Sequence, residues 1–185
     1  MSTPEIPAGT WSIDPSHSEV GFSVRHLMVS KVKGTFEQFS GVLVIGEDPL
    51  ASSVTASVDL NSINTRDAQR DGHLRSADIF DVETYPELTF ASTAVAANGD
   101  GYRVTGDLSI KGVTGSVDLD LEFHGVHPDP WGGTRAGFSA TTSISRKAFG
   151  VDFEIPMDGG GVVVGDKVEI TLEIQAVLQD TLVDA

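Results

Sequence analysis

Residues 168–175 read Val-Glu-Ile-Thr-Leu-Glu-Ile-Gln, and apolar and polar side chains alternate there without a break. Successive side chains of a β-strand point to opposite faces, so this period of two predicts a strand with one apolar and one wet face. The same alternation recurs at residues 20–24, 54–60, 102–110 and 117–123, and more weakly at 138–144. Strands also fit residues 41–47 and 88–97, which brings the count to roughly eight long strands.

Short turns separate these strands, for example at residues 98–101 and 111–112. Short connections favour antiparallel neighbours, and such strands close into either a sandwich or a barrel. Several strands reach about ten residues where ~5–6 is usual, which favours an eight-stranded barrel that can hold one small ligand. Ala56, Gly106, Ala140 and Ala94 fall at inward positions and would leave space there. The prediction is therefore an all-β, antiparallel, eight-stranded barrel, with a filled sandwich as the alternative.

One segment, residues 65–80, reads as a short helix inserted between strands. Thr65 fits an N-cap and Gly72 a helix break. In a chain of formal net charge −15, the segment gathers four basic side chains: Arg66, Arg70, His73 and Arg75. Guanidinium groups bind phosphate oxygens bidentately, which predicts an anion-binding mouth of the barrel. The alternative is surface pairing with Asp67 and Asp71, worth a few tenths of a kcal/mol for each pair, roughly.

The alternation also predicts which side chains face the inside of the barrel. The inward set that we expect to line a cavity is Val20, Phe22, Val24, Phe36, Ala56, Val58, Leu108, Leu119, Phe138, Ala140 and Leu172. His26 continues the phase of Val20 to Val24 at the end of its strand, where it is either a satisfied core histidine or a donor to a ligand. The polar positions that we predict for a ligand head group are His26, Arg70, His73 and Arg75.

The sequence contains no recognisable catalytic motif or metal site. Gly-x-Ser-x-Gly and HExxH are absent. Ser16 and Ser18 flank His17, but on a strand these neighbours would point to opposite faces. Asp14, His17 and His73 are too scattered for a ligand set, and the chain has no cysteine. We predict no enzyme activity, no metal and no cofactor besides a bound ligand.

Composition limits the partners. The pI near 4.4 argues against binding to nucleic acid or anionic membranes. No apolar run approaches the ~18 residues of a membrane span, and the N-terminus lacks the basic and apolar regions of a signal peptide. We therefore expect a cytoplasmic protein with no nucleic-acid partner and no integral membrane segment. A homodimer is compatible with the sequence.

Several motifs follow one another in a defined order along nearly the whole chain. They include Trp11-Ser12-Ile13-Asp14 with His17-Ser18, Phe22-x-Val24-x-His26-Leu27, Gly34-Thr35-Phe36, Arg70-Asp71-x-His73-Leu74-Arg75-Ser76, Tyr85-Pro86, Gly112-Val113-Thr114 and Asp129-Pro130-Trp131-Gly132-Gly133. In this order they resemble the YceI-like, polyisoprenoid-binding family with its lipocalin-like barrel. The block from Arg70 to Ser76 is the most specific of them.

The resemblance implies an antiparallel barrel around a long isoprenoid chain, such as a polyprenyl phosphate or the tail of an isoprenoid quinone. It implies a role in carriage, storage or sequestration, and no established enzyme activity. Many relatives look periplasmic, whereas this chain shows no signal peptide. The domain would span residues 10–179, with tails at 1–9 and 180–185. Two other functions remain open: scavenging of lipophilic drugs or stress metabolites, and an enzyme acting on an isoprenoid lipid.

Overall fold

The computed structural model describes residues 6–26, 30–130, 132–152 and 164–179. Within these ranges the chain forms eleven strands and one α-helix. In order they are β1 (Gly9–Ile13), β2 (Glu19–His26), β3 (Ser30–Phe36), β4 (Phe39–Ile45), β5 (Ser53–Asp59), β6 (Ile63–Asn64), α1 (Ala68–Arg75), β7 (Glu87–Asn98), β8 (Gly101–Ile110), β9 (Val113–Pro128), β10 (Thr134–Ser145) and β11 (Val164–Leu178). Residues 1–5 and 180–185 lie outside the described ranges, and the domain limits stay a prediction.

The sheet is antiparallel and closes on itself. β1 pairs with β4 on one side and with β11 on the other, which joins the first strand to the last. β2 pairs with the earlier part of β11, β3 with β2, and β6 with β3. Three strands of the barrel are therefore bent, and each consists of two consecutive elements: β1 and β2, β3 and β4, and β5 and β6. With β7 to β11 they form an eight-stranded up-and-down barrel, which confirms the predicted fold; the sandwich alternative is wrong.

The first bend has a local cause at residues 14–18. Pro15 has no N–H to donate to a ladder, and it begins a short 3₁₀ turn, Pro15–His17, which Asp14 caps. Hydrogen bonds nevertheless seal the wall here. The Asp14 N–H donates to the Gln175 carbonyl at 2.8 Å, and the Gln175 N–H donates to Ser18 Oγ at 2.9 Å.

The inserted helix is confirmed but is shorter than predicted. It begins at Ala68 because Asp67 is the N-cap, accepting hydrogen bonds from the N–H groups of Gln69 and Arg70 at 3.1 Å each. Thr65 is not the cap, since Arg66 has a φ of 65° and interrupts the helical path. Gly72 is not a break either, since it lies inside α1.

The connections define two ends of the barrel. One end of the barrel carries α1, the β8–β9 turn and the starts of β3 and β11, and we call it the α1 end. We call the opposite end the far end. The far end is packed by a cluster around the fully buried Trp11. At the α1 end, Leu74 and Phe80 pack against two further clusters, one containing Leu60 and Ile63 and the other Ile110. The helical segment therefore covers the α1 end with apolar side chains.

Two of the small residues predicted to leave space do not do so. A Cβ on Gly106 would clash with the Phe90 ring, so this ring already occupies the room beside the glycine. Ala94 is exposed, because a register shift between Ser92 and Ala94 turns the following side chains of β7 over.

Candidate functional site

The inside of the barrel is a cavity of about 340 Å³ whose lining reaches from the far end to the α1 end. Ile45 and Val95 line it at the far end, and Ile79 and Phe149 at the α1 end. All eleven residues predicted from the alternation line this cavity: Val20, Phe22, Val24, Phe36, Ala56, Val58, Leu108, Leu119, Phe138, Ala140 and Leu172. Their contact with a ligand stays a prediction. The volume falls within the ~300–1,000 Å³ that is usual for small-molecule sites.

Burial distinguishes the cavity from a filled core. Val20, Phe22, Leu119 and Leu172 face inward but are only half-buried, so part of each side chain has no protein neighbour. The outward residues of the same strands behave as predicted. Arg103, Asp118, Glu169 and Glu173 are exposed. The period of two therefore separates a wet outer surface from an inner surface that is apolar and not fully packed.

Few polar side chains interrupt the lining. Those among the described residues are Ser40, Ser52, Ser53, Tyr102, Ser139, Thr142 and Arg146. Arg146 is the charged one, and it is only 5% exposed. Its Nε donates to the Gly165 carbonyl at 2.9 Å, and its terminal nitrogens donate to the carbonyls of Val151 at 2.9 Å and Val164 at 3.1 Å. The guanidinium thus ties the end of β10 to the start of β11.

Sequence reasoning missed Arg146, although a signal was present. Phe138, Ala140, Thr142 and Ile144 alternate on the inner face of β10, and Arg146 continues the same parity. Its charge made an inward direction unexpected, because a buried charge is costly unless it is paired. Charge-assisted hydrogen bonds to three carbonyls offset that cost here.

The residues predicted for a head group lie at the α1 end. His26 is the last residue of β2, where its backbone pairs with Ser30 and Val164; its side chain lies outside the described part. Arg70 Nε donates to Thr65 Oγ1 at 2.8 Å, and one of its terminal nitrogens donates to the Thr65 carbonyl at 2.7 Å. Asp71, which is buried, accepts from the N–H and the hydroxyl of the same threonine.

The other two predicted residues also contact their own surroundings. Arg75 donates to the carbonyls of Asn61 at 3.1 Å and Ile63 at 3.4 Å. His73 is exposed, with Nε2 3.7 Å from Asp78 Oδ2. Within the described residues, the cavity lining includes Leu74 from α1 but not Arg70, His73 or Arg75. The structure therefore brings the predicted set to one end of the barrel, and its role in holding a head group stays a prediction.

A second polar cluster lies outside the cavity lining, nearer the far end. Arg135 Nε donates to Asp129 Oδ2 at 2.7 Å, and its NH1 donates to Asp14 Oδ2 at 2.8 Å and to Gln175 Oε1 at 3.0 Å. Hydrogen bonds from Ser16 and then Arg135 hold the pKa of the Asp14 carboxyl well below its usual range. The hydrogen bonds to Asp14 and Asp129 raise the pKa of Arg135.

The cluster also brings Ser16, His17 and Asp14 together. Residues 15–17 form a 3₁₀ turn and not a strand, so the geometric reason given from the sequence against a triad was wrong. The geometry still differs from a triad: Asp14 and Ser16 both contact the same nitrogen, Nδ1 of His17, at 3.0 and 3.2 Å. The Ser16 hydroxyl donates to Asp14 at 2.7 Å, so its proton is directed at a carboxylate and not at a histidine base.

The described ranges contain no group of three or more His, Asp or Glu side chains arranged to hold a metal ion. They also contain no helix with the length and hydropathy needed to cross a membrane.

Comparison with known proteins gives a consistent set of relatives. The family model described as YceI-like domain matches residues 11–176. Protein YceI of Salmonella newport (strain SL254) is 38% identical over 182 residues, covering 97% of this chain and 92% of that protein. The crystal structure of Burkholderia cenocepacia BcnA has a TM-score of 0.74 at 27% identity, covering 88% of this chain and 98% of the other.

A more distant likeness concerns the fold. A polyisoprenoid binding domain from Saccharophagus degradans, implicated in plant cell wall breakdown, has a TM-score of 0.68 at 18% identity. The match covers 91% of this chain and 98% of that domain. The barrel is thus shared with a protein that is described by the lipid it binds.

Proposed function

This chain belongs to the YceI-like domain family, and on that premise we propose that it binds a long-chain apolar lipid inside its barrel. The observation that carries the proposal is the cavity of about 340 Å³, whose described lining is apolar apart from a few hydroxyls and Arg146. Such a wall offers water few hydrogen-bond partners and offers a hydrocarbon chain many contacts. Binding without catalysis is the simplest function of this site.

The magnitudes favour a ligand with a long tail. Burying one CH₂ group contributes ~0.8 kcal/mol, so a five-carbon isoprene unit contributes about 3–4 kcal/mol before costs. A nanomolar complex needs about 12 kcal/mol. A few enclosed units therefore supply enough free energy even after the cost of ordering the chain. The tail would dominate the affinity, and the head group would dominate the choice between lipids.

The ligand class that fits best is a polyisoprenoid, either a polyprenyl phosphate or an isoprenoid quinone. Its support is the fold shared with a polyisoprenoid binding domain and the apolar interior. The protein would carry, store or sequester such a lipid. Lipid extraction from freshly purified protein, followed by mass spectrometry, tests this directly. We expect a co-purified prenyl lipid in roughly stoichiometric amount, because release from an enclosed site is slow.

Delipidated protein provides the second half of this test. Added prenyl lipid should raise the melting temperature in a concentration-dependent way, because a ligand that binds only the folded state stabilises it. Protein that purifies empty, and melts at the same temperature with and without prenyl lipids, would contradict the proposal.

We further propose that the α1 end selects the head group through His26, Arg70, His73 and Arg75. Arg75→Glu should weaken a polyprenyl phosphate more than the corresponding polyprenol, because charge reversal repels the anion. Arg103→Glu, on the exposed outer face of β8, is the control. Arg75 also bonds two carbonyls, so the melting temperature of each variant must be measured. Equal losses for both lipids in a folded Arg75→Glu protein would favour a purely structural arginine.

A second candidate is a scavenger of lipophilic compounds. One observation favours it: the described side chains of Arg70 and Arg75 bond to their own surroundings and not into the cavity. A cavity without head-group contacts would bind structurally unrelated apolar dyes and prenyl lipids with similar affinity. An isoprenoid carrier should discriminate between them. An enzyme acting on the lipid would instead convert it during incubation, which mass spectrometry of the mixture detects.

A further inference from the structure

We propose that the ligand enters and leaves through the side of the barrel, between β9 and β10 near the α1 end, and that Phe149 is the side chain that closes this portal. The inference rests on the proposed lipid-binding function and assigns its route of exchange. It follows from three features of the described residues: where the ladder between neighbouring strands ends, what fills the gap, and how the filling segment is held.

The β9–β10 ladder stops before the strands do. The paired residues run from Pro128 opposite Thr134 to Asp120 opposite Thr141. Beyond that pair, residues 113–119 of β9 pair with β8, and residues 142–145 of β10 pair with β11. In the described structure the two strands thus diverge toward the α1 end, and no ladder hydrogen bonds join them there.

Two other interruptions of the wall are bridged by hydrogen bonds. The bend between β1 and β2 is sealed by hydrogen bonds from Asp14 and Ser18 to Gln175. The bend between β3 and β4 is sealed to the next strand by the N–H of Glu37, which donates to the Ser62 carbonyl at 3.1 Å. The wedge between β9 and β10 is filled by side chains, so it can open without breaking a strand ladder.

Phe149 fills the wedge. It lies in the short 3₁₀ turn Lys147–Phe149, is 5% exposed and lines the cavity. Its ring packs on Gly115 of β9, where a Cβ would come within 3.1 Å of the ring. The same cluster includes Val117 of β9 and Ile144 of β10. The ring therefore lies against β9, in a cluster that also contains a residue of β10, and the glycine beneath it lets the ring approach the backbone.

The segment that carries Phe149 is anchored at both ends and has a hinge next to the ring. Arg146 fixes its start, and the Arg146 guanidinium also binds the carbonyl of Val151 just beyond it. Gly150 has a φ of 74°, a conformation that favours glycine. Rotation of Phe149 about these anchors would expose the cavity between β9 and β10, in the manner of a gating side chain.

Exchange kinetics of a fluorescent probe test the portal. The probe is cis-parinaric acid, a long-chain polyene acid whose fluorescence rises in apolar surroundings, mixed with delipidated full-length protein in a stopped-flow instrument. Phe149→Ala should raise the association rate by roughly tenfold or more, and the dissociation rate by at least as much, because a gate limits passage in both directions.

The matched control is Phe138→Ala. Phe138 lines the same cavity, but its strand is paired on both sides, with Phe123 and with Ile174. Its loss should change the Kd, mainly through the dissociation rate, and should leave the association rate close to that of the unaltered protein. The contrast between the two phenylalanines separates a gate from an ordinary wall contact.

The outcomes are distinguishable. Phe149→Leu removes less packing, and an intermediate acceleration in this variant supports the portal even if Phe149→Ala folds poorly. Unchanged rates in both folded Phe149 variants, with normal probe fluorescence, would overturn the portal and leave lipid binding intact. An association rate that Val95→Trp at the far end lowers, with the amount of probe bound at equilibrium unchanged, would overturn it in favour of that end. Absence of any fluorescence signal, together with a melting temperature that does not change on addition of a polyprenol, would refute the proposed function, and the portal with it.

Discussion

A bulky side chain placed on the cavity wall provides the sharpest test of lipid binding, and Ala56→Phe is the suitable change. Ala56 lies in the middle of β5, faces the cavity, is only half-buried and stands opposite Gly41 on β4 and Phe90 on β7. The substitution adds six ring carbons and no polar atom to this surface. One isoprene unit has five carbons, so the ring takes the room of about one unit.

The expected loss follows from that count. Excluding one unit removes about 3–4 kcal/mol of gross transfer free energy. At 1.4 kcal/mol for each factor of ten, binding of a prenyl lipid should weaken by roughly two to three orders of magnitude. The free energy of unfolding of the delipidated protein should change by less than about 1 kcal/mol, since the ring enters open space. In a filled core the same ring would overpack and destabilise by about 1–3 kcal/mol.

The assay is isothermal titration of delipidated protein with a polyprenol, paired with urea unfolding of the same sample. Thr55→Phe is the control, because Thr55 is the neighbouring residue of β5 and is exposed on the outer face. Its affinity should equal that of the unaltered protein. The reasoning is refuted if Ala56→Phe keeps its affinity for the polyprenol and loses about 1–3 kcal/mol of stability, as an overpacked core would.

Four further substitutions test the structural assignments. Gly72→Ala should stabilise by roughly 0.5–1 kcal/mol, since a Cβ at this position of α1 meets nothing within 4 Å. Gly106→Ala should lower the melting temperature, because its Cβ would clash with the ring of a neighbouring side chain. Loss of stability in both variants would contradict this difference in the space around the two glycines. Thr65→Val should cost about 1–3 kcal/mol in urea unfolding, because it deprives the buried carboxylate of Asp71 of a hydroxyl donor; an unchanged midpoint would contradict that role. Asp14→Asn should destabilise at neutral pH, because the pKa of the Asp14 carboxyl is lower in the folded than in the unfolded protein. The carboxylate therefore stabilises the fold above about pH 4, the unfolded pKa, and this contribution fades as the pH falls toward the folded pKa. Unfolding midpoints with the same pH dependence in both proteins would contradict that linkage.

The inner surface was predictable because side-chain direction in a strand is a local property. Val20, Leu119 and Leu172 were assigned inward from nothing more than the parity of their neighbours. The rule failed at Ala94, where a bulge reverses parity, and a bulge leaves no clear mark in the alternation itself. Space was harder to predict than direction. Gly106 is small, but the ring that covers it comes from β7, sixteen residues earlier in the chain, at Phe90.

The helical segment shows the same division between local and distant information. A short helix rich in arginine was evident from residues 65–80. The end of the barrel at which this helix lies follows from the order of the strands. The partners of those arginines were not evident. Thr65 could be a cap or an interior acceptor, and only the turn at Arg66 decides between them. The buried Arg146 has the right parity for the inner face, but its charge is tolerated only because carbonyls of β11 lie within reach.

The sequence by itself determined the strands, the side of each strand that is apolar, and the resemblance that identifies the family. These properties repeat every second residue or lie in short motifs, so neighbours in the chain are sufficient to express them. Tertiary structure decided that β1 meets β11 to close the ring, that a cavity remains inside, and that β9 and β10 part near Phe149. Each of those outcomes depends on contacts between residues far apart in sequence, and their geometry arises only when the whole sheet curls and its two edges join.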